Sequence, residues 1–162
     1  MKRILIVIVV ILLVIPSVLN AKNPNKETMQ WRYEVQDLNI TGKQGTCVFK
    51  IWTYAKNEKK AISQAGKNAV HAIIFKGYGY YPALVSGADV YEQHKDFFDN
   101  FFKDGGEYQL YVQFVNNGAI APSDNIKLKN EYKIGVKAIV RKDALRECLE
   151  KAGIIQTANS IF

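Results

Sequence analysis

The side chains that could take part in a reaction are few in this chain and lie far apart. Its two cysteines are Cys47 and Cys148, and its two histidines are His71 and His94. Their spacing is not that of a metal site, and a catalytic cysteine would need a neighbouring histidine. The carboxylates are scattered, and no two of them stand out as a hydrolytic pair. We therefore predict no catalytic residue, no metal and no cofactor, and we expect hydrogen-bonded histidines at the rim of the core.

The two cysteines both fall on faces that the hydrophobic pattern assigns to the core, Cys47 on a strand and Cys148 on the last helix. In an oxidising compartment they could form a disulfide, because a helix that lies on a sheet can bring two such positions together. Small buried thiols also serve as core filler without pairing. Both interpretations predict that the two thiols are buried.

A group of aromatic residues is the feature that most suggests binding. Tyr78, Tyr80 and Tyr81 lie in a segment that also contains turn-forming glycines and a proline, and Trp52 could join them. Flat rings with polar edges suit stacking on a sugar or on a protein partner. The interpretation we favour from the sequence is instead that the tyrosines are buried at the end of the sheet.

The elements that would position these residues follow from hydrophobic periodicity. Apolar and polar residues alternate over 31–36 and again over 46–54, which predicts a β-hairpin. Over 57–76 an alanine-rich stripe has the period of a helix, with Asn57 as N-cap and Gly77 at the end. Small side chains on that stripe would let the helix lie close to the sheet.

The second half of the chain is predicted to contain a helix, a pair of strands and a last helix. A helix is predicted over 89–102, followed by strands over 108–115 and 131–141 and by a last helix over 142–152. The first of these helices carries Phe97, Phe98, Phe101 and Phe102. So much aromatic area must be buried. The order ββααββα predicts an α+β fold, with an antiparallel sheet of about four strands and helices packed on one face.

The first residues of the chain have the pattern of a targeting signal. Lys2 and Arg3 precede an apolar run, 4–15, that Pro16 ends. This order is typical of a secretory signal peptide, which we place at residues 1–21. The run is shorter than the roughly 20 residues of a membrane-spanning helix, so we expect no stable membrane span once the signal is removed. The protein would then be periplasmic or extracellular.

The remainder is expected to form a polar leader, 22–30, and a single α+β domain, 31–162. Without the two basic residues of the signal, the formal charge falls from +7 to +5. The lysines that carry this excess are dispersed, and there is no cluster of arginines. A nucleic-acid groove usually needs a concentrated basic stripe, so we expect no nucleic-acid partner.

Three segments carry a resemblance to known proteins: GKNAVHAIIFKGY, DFFDNFFKDGGEY and KIGVKAIVRKDALRECLEKAGII. With the strand-pair-then-helix plan, they resemble small exported bacterial proteins of unknown function, of the Bacteroidetes type, and more distantly the LPP20-like envelope domains. The resemblance extends over most of the chain from Trp31, although the lipid-attachment cysteine of many LPP20-like proteins is missing. These are packing motifs, so the resemblance implies a fold and an envelope location and carries over no catalytic residue.

Together these patterns predict a non-enzymatic exported protein, an envelope accessory or interaction module whose work is done by its surfaces. Its expected partner is an envelope protein or a glycan. The alternative is a glycan- or peptide-binding domain that uses the segment from Tyr78 to Tyr81 as its binding element. An exposed position of those tyrosines beside a concave surface would favour the alternative.

Overall fold

The five strands in the described part of the chain form one antiparallel sheet. The computed structural model describes residues 31–40, 42–87 and 89–157, so the predicted signal peptide, 1–21, and leader, 22–30, lie outside the described residues. The strands are β1 (Tyr33–Asp37), β2 (Cys47–Ala55), β3 (Val112–Phe114), β4 (Asn125–Lys127) and β5 (Tyr132–Val140). Their order is β1-β2-β5-β3, and β4 also pairs with β5. Because β2 pairs with the whole length of β5, β3 and β4 share the other edge of β5.

The helices are α1 (Glu58–His71), α2 (Val90–Gln93), α3 (Lys95–Phe102) and α4 (Lys142–Lys151). Asn57 is the N-cap of α1, as predicted, since its side chain accepts a hydrogen bond from the Lys60 backbone N–H at 3.0 Å. A π-helical turn, Ala72–Lys76, extends α1 to Gly77. The predicted helix over 57–76 and the α+β class are therefore confirmed.

Two local predictions were wrong, and one short strand was missed. The helix predicted over 89–102 is interrupted at His94, whose backbone leaves the helical region (φ −117°, ψ 35°). The strand predicted over 108–115 begins with a 3₁₀ helix, Glu107–Tyr111, because Tyr108 is buried against Gly66 of α1 while Leu110 is exposed. A strand would have placed those two side chains on one face. The short polar strand β4 was not predicted.

The core lies between the inner face of the sheet and α1. The inner-face residues of β2 are all buried: Cys47, Phe49, Ile51, Thr53 and Ala55. The alanines of the predicted stripe of α1 are also buried, so the helix backbone approaches the sheet closely. The single polar inner residue of β2, Thr53, accepts a hydrogen bond from the Asn68 amide of α1 at 3.1 Å. This bond satisfies two buried polar groups at once.

The phenylalanines of α3 complete the core. Phe98, Phe101 and Phe102 are buried, as predicted, and Phe97 is half-buried against Phe98 and Phe101. Within residues 31–40, 42–87 and 89–157, no helix combines the length and the apolar character that crossing a bilayer requires.

Candidate functional site

His71 lies at the end of α1 inside a group of aromatic rings. Its Nδ1 is 2.7 Å from the Tyr33 hydroxyl, and the Trp31 ring stacks on it with 3.9 Å between centroids. Burial, together with the positive charge of Lys76, lowers the pKa of His71 to about 3. The imidazole is therefore neutral near pH 7 and serves as a packed, hydrogen-bonded side chain. His94 is partly buried where α2 meets α3.

The two cysteines have different surroundings, and both are free thiols. Cys47 is buried at the start of β2, and burial raises its pKa. Cys148 is only half-buried, with Sγ 3.7 Å from the Glu107 carboxylate, and partial burial raises its pKa as well. The prediction of two core thiols is right for Cys47 and wrong for Cys148, because that side of α4 faces the 3₁₀ helix rather than the sheet. The disulfide that the sequence left open is not formed.

In the described part of the chain, no group of three or more histidine, cysteine, aspartate or glutamate side chains could hold a metal ion. The raised thiol pKa values and the neutral His71 leave these side chains poorly suited to nucleophilic or acid–base chemistry. The residues best placed to contact a partner lie on two surfaces of the protein.

The first such surface is the tyrosine turn, which we define as residues 77–82. Tyr78 and Tyr81 exchange two backbone hydrogen bonds of 2.8 Å, which leaves Gly79 and Tyr80 at the tip. The Tyr80 side chain is fully exposed, and Tyr81 is 48% exposed. The expected burial of Tyr80 and Tyr81 is therefore wrong. A two-residue turn closed by its flanking residues projects its tip into solvent, and only one of the three rings faces inward.

That inward ring, Tyr78, fixes the base of the tyrosine turn. Its centroid is 4.8 Å from that of Phe49 in the core, and its hydroxyl is 2.7 Å from the Asp37 carboxylate and 3.1 Å from the Val48 carbonyl. Burial, followed by the bond to Asp37, raises the pKa of Tyr78, and the same bond lowers the pKa of Asp37. The exposed rings therefore stand on a base that is bonded to both β1 and β2.

Trp52 does not join the tyrosines. Successive residues of β2 point to opposite faces, so Trp52 lies on the outer face while Phe49, which Tyr78 packs against, lies on the inner face. The indole N–H donates to the Gln36 side chain at 2.9 Å. The sequence grouped Trp52 with the turn, although the alternation of β2 already carried the signal that separates them.

Around Trp52 the outer face of the sheet carries alternating aromatic and charged side chains. Lys50 and Lys133 each place an ammonium 5.2 Å from the Trp52 ring, and the Arg32 guanidinium is 3.9 Å from the Tyr54 ring. We call the set Arg32, Lys50, Trp52, Tyr54 and Lys133 the outer-face cluster. In this cluster each cation lies over an aromatic ring, an arrangement that is favourable at a surface. No local sequence pattern marks this cluster, because its members come from the segment before β1, from β2 and from β5.

Comparisons of the chain with protein-family models, with curated proteins and with solved structures found no match. What the fold itself defines is an α+β protein with an open antiparallel sheet and two candidate binding surfaces. The proposals below therefore depend on the geometry of those surfaces and on the N-terminal pattern.

Proposed function

We propose that this protein is an exported, non-enzymatic interaction module of the cell envelope, and that a partner protein binds at its tyrosine turn. One observation carries the proposal: the Tyr80 ring is fully exposed and Tyr81 is half-exposed at the tip of a turn whose base is fixed. Ile40, in the loop that follows β1, is also exposed. Aromatic anchors of this kind dominate the affinity of many protein interfaces.

A fixed turn is suited to binding for an energetic reason. A flexible loop loses conformational entropy when it binds, and a turn that is already ordered loses less. Here the Tyr78 hydroxyl is bonded to Asp37, and Gly77 allows the chain to fold back against the Tyr81 carbonyl. The Lys142 ammonium, 5.3 Å from the Tyr81 ring, adds a polar contact at the edge of the turn.

The rest of the proposal follows from the reactive groups and the N-terminal pattern. His71 is neutral and bonded, and both thiols have raised pKa values, which argues for binding rather than catalysis. Lys2, Arg3 and the apolar run that follows favour export. Export is tested by mass spectrometry of the protein from its native host. An amino terminus near Lys22 is expected, and a retained Met1 would contradict it.

Binding at the turn is tested by site-specific cross-linking. A photo-reactive amino acid is placed at position 80 and, in a matched control, at position 110, where Leu110 is also well exposed. In the native host we expect a discrete protein adduct from position 80 and none from position 110. Tyr81→Ser should weaken that adduct without unfolding the protein.

Other outcomes would decide against the proposal. Equal labelling from positions 80 and 110, or no adduct from either, would show that the turn is not a binding element. An adduct with an envelope polysaccharide in place of a protein would show that the tyrosine turn binds glycan instead.

A further inference from the structure

We infer that the outer face of the sheet holds a separate binding site, whose ligand is a glycan with carboxylate groups. The site combines Trp52 with a groove on the other side of β5, lined in part by Lys50, Asp124 and Lys137. It uses none of the residues of the tyrosine turn, so it goes beyond the function proposed above.

The Trp52 ring is positioned before any ligand arrives. Gly135 of β5 lies directly opposite Trp52 in the sheet, and a Cβ there would be 3.0 Å from the indole atom Cζ3. The indole therefore extends over the β5 backbone, and a larger residue at position 135 would require it to shift by a few tenths of an ångström. At its other end the N–H donates to Gln36 of β1. The ring spans three strands and is half-buried, and a pyranose would stack its C–H face on the part of the ring that the Lys50 and Lys133 ammoniums, each 5.2 Å away, leave open.

A groove of about 430 Å³ adjoins this ring. Its lining consists of Lys50, Val115, Asn116, Ala119, Ile120, Ala121, Ser123, Asp124, Gly135 and Lys137. Gly135 and Lys50 contact both the groove and the ring, so the two are continuous. The volume falls within the range of about 300–1,000 Å³ that small-ligand pockets occupy.

The polar groups of the groove suit sugar hydroxyls. The Asn116 amide can donate and accept, and the Ser123 hydroxyl can do both as well. Asp124 is buried and bonded to the Lys50 ammonium at 2.7 Å, which fixes its carboxylate as a hydrogen-bond acceptor at the wall of the groove. Hydrogen-bond donors and acceptors beside an apolar ring match the hydroxyl groups and the C–H face of a carbohydrate.

The charges of this face select the class of glycan. Lys50 is paired with Asp124, Lys133 with Glu34, and Arg32 with Glu131. Lys137 is exposed and has no acidic partner among the described residues. The free ammonium of Lys137 favours a ligand that carries a carboxylate. Nucleic-acid binding draws most of its affinity from several phosphate contacts, so a groove with a single free cation among the described residues favours a glycan, which stacking and hydrogen bonds can bind.

The test measures binding of tetragalacturonate and of its methyl ester, which has the same rings without the charge. We expect the acid to bind more tightly than the ester, with the difference lost in high salt because an exposed charge pair is screened. Lys137→Gln should weaken binding of the acid about twofold to fivefold and leave the ester unchanged. Lys103→Gln is the matched control for charge, since it removes an exposed cation after α3.

The ring is tested with Trp52→Ala, which should weaken binding of acid and ester alike, by roughly tenfold. If Trp52→Ala fails to fold, Trp52→Phe is measured in its place, because it keeps an aromatic ring. Alginate and hyaluronan oligosaccharides test other carboxylated chains, and oligothymidylate tests nucleic acid. The inference is wrong if none of the three uronate oligosaccharides binds, if acid and ester bind equally, if Lys103→Gln matches Lys137→Gln, or if oligothymidylate binds most tightly.

Discussion

The two faces of β2 share one backbone and differ in what their side chains contact. On the inner face every residue of the strand is buried, whereas on the outer face Val48, Lys50, Trp52 and Tyr54 are half-buried. The inner residues pack against α1, and the one polar member, Thr53, is bonded to Asn68. The outer residues contact polar and charged side chains of neighbouring segments, such as Gln36 with Trp52 and Asp124 with Lys50. The inner face therefore supplies stability, and the outer face remains available for recognition.

Aromatic residues show the same difference. On the inner side, Phe98 packs against Phe75 and Tyr91, with centroids 5.0 and 5.1 Å apart. On the outer face, the Tyr54 ring lies beneath the Arg32 guanidinium, and two lysines approach Trp52. A high aromatic content does not identify a binding site by itself. The burial of each ring is the better guide: Tyr33 and Tyr108 are buried although a lysine ammonium lies over each ring, whereas Trp52 and Tyr54 on the outer face are only half-buried.

Phe98→Ala should give the largest loss of stability. Phe98 is completely buried and contacts several other rings. Removing such a ring from a core costs about 3–5 kcal/mol in the free energy of unfolding, because a cavity adds to the lost transfer energy. Denaturant unfolding measures the change. A loss below about 1 kcal/mol would show that α3 lies outside the core. The inner side would then not differ from the outer face in its contribution to stability.

The same distinction explains which parts of the fold the sequence predicts. Long strands with one buried face, such as β2, alternate clearly and are found by their period. The helix over 57–76 is marked by its alanines, by the Asn57 cap and by Gly77. The three-residue strand β4 has no such signal, since its pairing with β5 is decided by tertiary contacts and not by its own polar residues.

The candidate sites were less predictable than the fold. Tyr78 and Tyr80 are two residues apart and chemically identical, yet one packs on Phe49 and the other is in solvent. Composition cannot tell the base of a turn from its tip. The groove beside Trp52 joins β2 and β5 to residues 115–124, so no local motif could reveal it.

His71 makes the inner side sensitive to acid. Its pKa of about 3 in the folded protein lies below the ordinary 6.5. Between these values the unfolded chain binds a proton that the folded chain does not. The stability linked to His71 is therefore complete above about pH 6.5 and is lost as the pH falls, by up to about 1.4 kcal/mol per pH unit.

Replacing His71 isolates this effect. The carboxylates with lowered pKa values, such as Glu34 and Asp104, also lose stability in acid, but only near and below their ordinary pKa values of about 4. Unfolding measured from pH 7 to 5 should show a slope for the wild type and a much flatter profile for His71→Phe. Parallel profiles would mean that the imidazole is solvated.

Gly77→Ala tests how the tyrosine turn is attached to the core. Gly77 has a φ of +77°, and a Cβ there would be 2.6 Å from the Tyr81 carbonyl oxygen. The backbone strain and the steric clash together should lower the free energy of unfolding by about 1–3 kcal/mol. Gly105 is the matched control, because its φ is +73° and a Cβ would meet nothing within 4 Å. Gly105→Ala should be less costly by thermal or denaturant unfolding, and equal losses would show that the clash with the turn is absent.

Tyr80→Ala should give the smallest effect, and it bears directly on the proposed function. The fully exposed ring gains nothing from the fold, so its removal should change the free energy of unfolding by less than about 0.5 kcal/mol. Tyr78→Ala is the contrasting variant, since it removes a ring packed on Phe49 and a hydroxyl bonded to Asp37. Denaturant unfolding of the two variants should separate them clearly. If Tyr80→Ala cost as much as Tyr78→Ala, the tip of the turn would be packed against the protein, and it would not be free to bind a partner.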